Sequence, residues 1–301
     1  MSPLVTSSVV LSDNRAWLGF ALGLLGVLAF SLTLPMTRMA VAVLDPAFVA
    51  FGRMAGAGLI ACVALRATAA PFVARSQIWL LVVTAVGVVL GFPLLSSFAM
   101  QTLPSSHGAV IVGIVPFVTA FIASLWFGER HCARFWTCAA LGTSLVIAFA
   151  IHGGSGGLQT GDVWLLLSLL LGAVGYAAGG RLAGLIGGVN TILWALVIAL
   201  PLTLPVCMWR LATTAMVADA SAWAGFAYVT LISQLLGFFA WYNGLAIGGV
   251  GSVSQVQLLQ VFFTLAFAAT LFGEHVGSDA WICALAVAAT ILLGRTAQKS
   301  R

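Results

Sequence analysis

The chain has 301 residues, 62% of them hydrophobic and only 6% charged. A soluble core of this size could not bury that much apolar surface, so the solvent is lipid. The net charge of +5 then fits basic residues crowded into loops on one side of a membrane, and excludes a nucleic-acid partner as its explanation.

A spanning helix needs about 20 apolar residues, and charged residues mark where each span stops. Arg15 and Arg38 enclose span 1, and span 2 runs from about Pro46 to Leu65 with Arg53 inside it. The run from Ala16 to Thr37 is too long for a signal peptide, lacks a clear cleavage site and is followed by further spans, so it reads as a helix. Between Arg75 and Glu129 lie 53 uncharged residues, enough for two helices that break at Thr102-Leu103-Pro104-Ser105-Ser106, giving spans 3 and 4. Span 5 runs from Phe135 to about Ile151, and the glycine-rich Gly153-Gly154-Ser155-Gly156-Gly157 follows. Span 6 covers Val163 to Gly180 and span 7 about Thr191 to Trp209. The 54 uncharged residues from Ala220 to Gly273 hold spans 8 and 9, broken at Gly248-Gly249-Val250-Gly251, and span 10 covers Ala280 to Gly294. Five cysteines form no CxxC pair, so small apolar packing is their expected role.

One stretch is used twice. From His107 to Cys138 an apolar run ends in Phe127-Gly128-Glu129, with Trp136 and Cys138 after it. From Ser252 to Cys283 another ends in Phe272-Gly273-Glu274, with Trp281 and Cys283 in the same places. At this shift of 145 residues Phe117 meets Phe262, Thr119 meets Thr264, Ala123 meets Ala268 and Ala139 meets Ala284. The reading is two homologous halves, 1–152 and 153–301, of five spans each. With the N-terminus inside, the inner segments hold Arg15, Arg66, Arg75, Arg130, Arg134, Arg181, Arg295, Lys299 and Arg301, against Arg38 and Arg210 outside. Both termini are therefore expected in the cytoplasm. An odd number of spans per half turns the second half over, so the expected fold is an all-α integral membrane protein of ten helices in two inverted repeats around a central pocket.

The two copies of Phe-Gly-Glu, together with Ala50-Phe51-Gly52-Arg53 in span 2, resemble the drug/metabolite transporter superfamily, in its ten-helix branch with two EamA-type domains. The second motif is similar to the arginine motif early in that family's second helix. The likeness covers nearly the whole chain. It implies export of small metabolites, amino acids prominent among them, across a bacterial inner membrane. It also implies a pocket lined mainly by helices 1, 3, 4, 6, 8 and 9. Two departures are plain: Val261 stands opposite Pro116, and Arg53 has no counterpart in span 7.

Polar groups inside lipid are costly and usually face protein or a cavity. Gln234, Phe238, Trp241 and Tyr242 fall on one helical face of span 8, and Gln257 and Gln260 on one face of span 9. These stripes are expected to bind substrate, although glutamines bonding between helices and packed aromatics would give the same pattern. Phe92, Ser96 and Met100 share a face of span 3, His107 and Ile111 a face of span 4 with Val115, and Tyr176 stands among glycines in span 6. All are candidate substrate contacts, with His107 equally readable as an interfacial histidine without a role. Ser31 and Thr33 precede Pro35 and read as structural, because hydroxyls satisfy backbone carbonyls near a proline. Glu129 and Glu274 read as helix ends that anchor the following loop, and Arg53 as snorkelling or structurally bonded in preference to binding a carboxylate.

The seven acids, Asp13, Asp45, Glu129, Asp162, Asp219, Glu274 and Asp279, all lie in loops or at span ends, and no span holds a lysine. Proton exchange on a buried glutamate and carriage of phosphate esters are both disfavoured. The four histidines are dispersed, and no HExxH or GxSxG occurs, so no catalytic residue, metal site or cofactor is expected and an integral-membrane enzyme is a remote alternative. The expected function is export of neutral or zwitterionic metabolites, foremost hydrophobic and aromatic amino acids, by alternating access in a monomer, the bilayer and a small-molecule substrate being its partners. A drug or nucleoside exporter of the same fold is the alternative.

Overall fold

The computed structural model describes residues 4–70, 72–127, 132–152, 159–215, 217–248, 253, 256–257 and 259–299. Among these there is helix and no strand. Seven helices are long and apolar enough to cross a membrane: α1 Trp17–Val41, α2 Pro46–Thr68, α3 Arg75–Ala99, α4 Ser105–Trp126, α6 Thr160–Ile186, α7 Gly188–Thr213 and α8 Ala220–Ile247. Three shorter apolar helices, α5 Ala133–Phe149, α9 Leu259–Phe272 and α10 Ser278–Thr290, complete the described set. The residues 128–131 around the first Phe-Gly-Glu copy, the 153–157 linker and the 249–251 break lie outside the described residues.

Helix starts are set by side chains that meet otherwise unsatisfied N–H groups. Asp45 precedes Pro46 and accepts from the Phe48 N–H at 2.8 Å. Gln159 and Asp162 form a capping box on α6, and Asp219 accepts from the Ala222 N–H at 2.9 Å to open α8. Helix α6 runs to Ile186, six residues beyond the expected Gly180. Arg181 does not end it, because a charge at the membrane surface interrupts lipid burial without breaking a helix. The stop is Gly187, whose φ of 85° turns the chain into α7 within one residue.

Several helices are irregular where they face inward. Pro35 has no N–H for the Ser31 carbonyl, and α1 turns at Leu32. Thr264 Oγ1 of α9 donates to that carbonyl at 2.9 Å, while Ser31 Oγ donates back to Val27 O at 2.7 Å. Helix α3 is π-helical over Ala85–Gly91 and α8 over Tyr228–Leu236. At the 145-residue shift these stretches overlap, with Val88 matched to Ser233.

Each helix of the first five packs on one of the second five: α1 on α8, α2 on α7, α3 on α6, α4 on α9 and α5 on α10. Small residues permit the closest of these crossings. A Cβ on Gly175 of α6 would fall 2.7 Å from the Val88 backbone nitrogen of α3, and one on Gly87 would fall 2.6 Å from the Gly175 Cα. Trp17, Leu59, Val63, Leu125, Trp209 and Ile282 are exposed on the outer surface of the bundle, the pattern of a body solvated by acyl chains.

Candidate functional site: a cavity between the two halves

A cavity of about 560 Å³, its open side included, lies where these helix pairs meet. Helix α1 contributes Phe30, Thr33 and Leu34, α3 Val88 and Phe92, and α4 Val112 and Val115. Helix α6 adds Leu169, Gly172, Ala173 and Tyr176, and α8 adds Ser233, Gln234 and Phe238. Gln257 lies just before α9 and Gln260 in its first turn, and Arg53 reaches in from α2. One wall is aromatic: the rings of Phe30 and Phe238 lie 4.9 Å apart, and those of Tyr176 and Phe238 6.1 Å apart.

The polar groups of the cavity are sparsely paired. Gln234 Nε2 donates to the Val88 carbonyl at 3.4 Å, a carbonyl set within the π-helical stretch of α3. Ser233 Oγ and Thr33 Oγ1 are 2.8 Å apart, and Arg53 Nη2 donates to Ser233 Oγ at 3.1 Å. Gln234 Oε1 and Gln260 Oε1 are buried with no donor, and Arg53 Nε and Nη1 are buried with no acceptor. A buried polar atom without a partner costs free energy, so such atoms collected at one cavity mark a place where a polar ligand is received.

One end of the bundle is tied across by polar links. Glu274 follows the αL residue Gly273, whose φ is 63°, and its carboxylate lies on the first turn of α4. Oε1 accepts from the Ser105 N–H at 3.1 Å, from Ser105 Oγ at 2.5 Å and from Arg38 Nη1 at 2.7 Å, and Oε2 accepts from the Ser106 N–H at 2.9 Å. Burial works against ionisation of Glu274, but these hydrogen bonds hold its carboxyl below the usual range. Arg210 grips Asp45 through Nε at 2.9 Å and through Nη2. Asp45 is likewise held low, burial opposing and the Arg210 and Phe48 bonds prevailing. His107 Nε2 lies 2.7 Å from Asp162 Oδ1.

Comparison with known proteins follows this division of the chain. The EamA-like transporter family matches residues 17–151 and again residues 159–295. The chain belongs to the EamA-like transporter family. It is therefore a multi-span membrane transporter and not an enzyme. A Bacillus subtilis (strain 168) protein named uncharacterized transporter YdeK is 40% identical over 264 residues, 88% of this chain and 92% of that one. A solved crystal structure with 16% identity shares the fold at a TM-score of 0.61, over 92% of this chain and 98% of the other.

Within this EamA-family chain, six of the twelve candidate contacts line the cavity: Phe92, Tyr176, Gln234, Phe238, Gln257 and Gln260. The other six are placed elsewhere. Ser96 Oγ turns back to the Pro93 carbonyl at 3.3 Å, and Met100 and Ile111 are packed in an apolar core. His107 is spent on Asp162 and lies 5.2 Å from the Phe149 ring. Trp241 and Tyr242 back the aromatic wall without lining it. Trp241 packs against Gly26 of α1, and Tyr242 against Gly179 of α6 and Gly188 of α7. The Trp241 ring lies 6.3 Å from those of Phe30 and Tyr176, and the Tyr242 ring 5.4 Å from that of Phe238.

Arg53 does not snorkel; it is 1% exposed, makes the structural hydrogen bond to Ser233 Oγ that is the other half of its expected role, and also faces the cavity. Thr33, set aside as a proline companion, is also in the wall. Val112 could have been found from the repeat, since it stands opposite Gln257 at the 145-residue shift, as Val115, already named beside Ile111, stands opposite Gln260. Ser233 carried no signal beyond its place beside Gln234.

Proposed function

We propose that this transporter exports small neutral or zwitterionic metabolites, foremost amino acids with hydrophobic or aromatic side chains, by alternating access of two inverted five-helix repeats, residues 1–152 and 153–301. The observation that carries the reading is the cavity between the halves, with an aromatic wall beside amides whose oxygens have no donor. Aromatic faces supply apolar contact area and the amides orient a polar head. The pairing of α1 with α8 and α3 with α6, which exchange when the halves exchange, supports the two-fold relation that an inverted arrangement requires. So does the gathering of the α1 end, the α2 and α4 starts, the α6 start and the α7 and α9 ends on one side, where Arg38, Asp45, Ser105, Asp162, Arg210 and Glu274 meet across the halves. The excess of basic residues in the opposite loops supports cytoplasmic termini in a bacterial inner membrane, with the single chain as the transporting unit.

Among the described residues no carboxylate lines the cavity, so transport runs down the substrate gradient without a proton gradient. The test is uptake into liposomes containing the purified protein, with labelled amino acids, nucleosides and cationic drugs as the panel. Amino acids with large apolar side chains should be carried with no pH step. Uphill accumulation driven by a pH step alone would reveal a coupling group, and preference for nucleosides or cations would replace the substrate class.

A further inference from the structure

Arg53 is among the largest fully buried side chains of the chain, at 1% exposure. Its guanidinium has one protein acceptor, Ser233 Oγ, and its Nε and Nη1 have none. The described acids with partners are engaged at helix ends: Asp45 with Arg210, Asp162 with His107, Glu274 with Arg38 and the α4 start, and Asp219 with its own helix. A permanently charged group buried beside a single hydroxyl is a poor device for stability, because an apolar side chain of similar volume would fill the space without the cost of dehydrating a cation. What the fold retains at that cost faces the cavity.

We propose that Arg53 is the anchor for a substrate carboxylate, so that the species carried are monocarboxylates with an apolar body. This rests on the exporter reading above, keeps its amino acids and extends it to monocarboxylate anions of the same apolar body. Ser233, shared between Arg53 and Thr33, holds the guanidinium in orientation. The aromatic wall of Phe30, Tyr176 and Phe238 receives the apolar body. The donor-free oxygens of Gln234 and Gln260 are suited to an ammonium, which makes an α-amino group helpful but dispensable. A cation meets repulsion, and a dicarboxylate finds no second cation among the lining residues.

The test uses purified full-length protein and three probes that share a phenyl ring: phenylalanine, 3-phenylpropionate without the amine, and 2-phenylethylamine without the carboxylate. Binding is read as a ligand-induced rise in melting temperature, and transport as uptake into liposomes. Phenylalanine and phenylpropionate should bind and compete with each other, and phenylethylamine should do neither. Arg53→Gln should weaken both carboxylates about ten- to a hundredfold and raise the melting temperature of the empty protein. Arg53→Lys, which keeps the charge without the planar fork, should fall between the two. A structural arginine gives the opposite signature: Arg53→Gln melts lower when empty and holds carboxylates as tightly as before, and that result overturns the proposal while leaving the exporter intact. If the wild type carries phenylethylamine and neither carboxylate, both readings fall together. Should Arg53→Gln fail to fold, the Arg53→Lys variant and the wild-type competition pattern decide between the same alternatives.

Discussion

Phe238 and Trp241 are three residues apart on α8, yet only Phe238 reaches the cavity. Phe238→Ala should therefore weaken large apolar substrates by about 1–3 kcal/mol, roughly ten- to a hundredfold, and spare small ones in liposome uptake. Trp241→Ala empties a packed site between α1 and α8. It should lower the melting temperature while leaving the order of substrate preference unchanged, and an altered order would return Trp241 to the wall. Glu274 makes a prediction in pH. Its carboxyl titrates below the usual range in this conformation, so the bonds it accepts are intact at neutral pH and are lost as pH falls through that lowered value. The stability gap between wild type and Glu274→Gln should be full at pH 7, begin to shrink as pH falls through the ordinary glutamate range and close below the lowered value, measured as melting temperature. At this scale the sequence was half legible. Polar and aromatic side chains in lipid announce themselves, and six such residues do line the cavity. Val112 and Leu169 could not be recognised by type, because an apolar residue facing a cavity looks like one facing a neighbour or lipid.

Helix ends show where a motif becomes a device. Phe272-Gly273-Glu274 reads in the sequence as the end of an apolar run. In the fold, Gly273 adopts φ 63° and so brings the glutamate onto α4 of the other half. Gly273→Ala meets no steric neighbour, so its whole effect is conformational. It should cost about 1–2 kcal/mol for the left-handed backbone, and more if the turn relaxes and Glu274 loses Ser105 and Ser106. A melting temperature equal to wild type would show that the turn is not strained by a side chain. Span positions were legible from hydropathy, with α2 starting at Pro46 as expected and the α3–α4 break falling at residues 100–104. The paired π-helical stretches were not, because Ala85–Gly91 and Tyr228–Leu236 differ from ordinary apolar helix in hydrogen bonding and hardly at all in composition.

At the scale of the whole molecule, inversion of the halves has a direct test. Ala133 and Ser278 are exposed, open α5 and α10, and stand at equivalent positions in the repeat. Single cysteines at these two sites, in a background without native cysteines, should react with an impermeant reagent from opposite faces of the membrane. Reaction from one face would make the repeats parallel. The duplication itself was legible because identities survived at one fixed shift, whereas the helix pairing that it produces depends on contacts no single sequence displays. Duplication also leaves a mark on the cavity. Two equal halves would build two equal walls, and a molecule with a head and a tail could then lie in it either way round. Here the matched positions have drifted apart in kind: Val88 against Ser233, Val112 against Gln257, Val115 against Gln260, and Arg53 against Ile198, every one of these residues except Ile198 being in the lining. A guest with a head and a tail would therefore meet two different walls, and one orientation in the cavity would be preferred over the other.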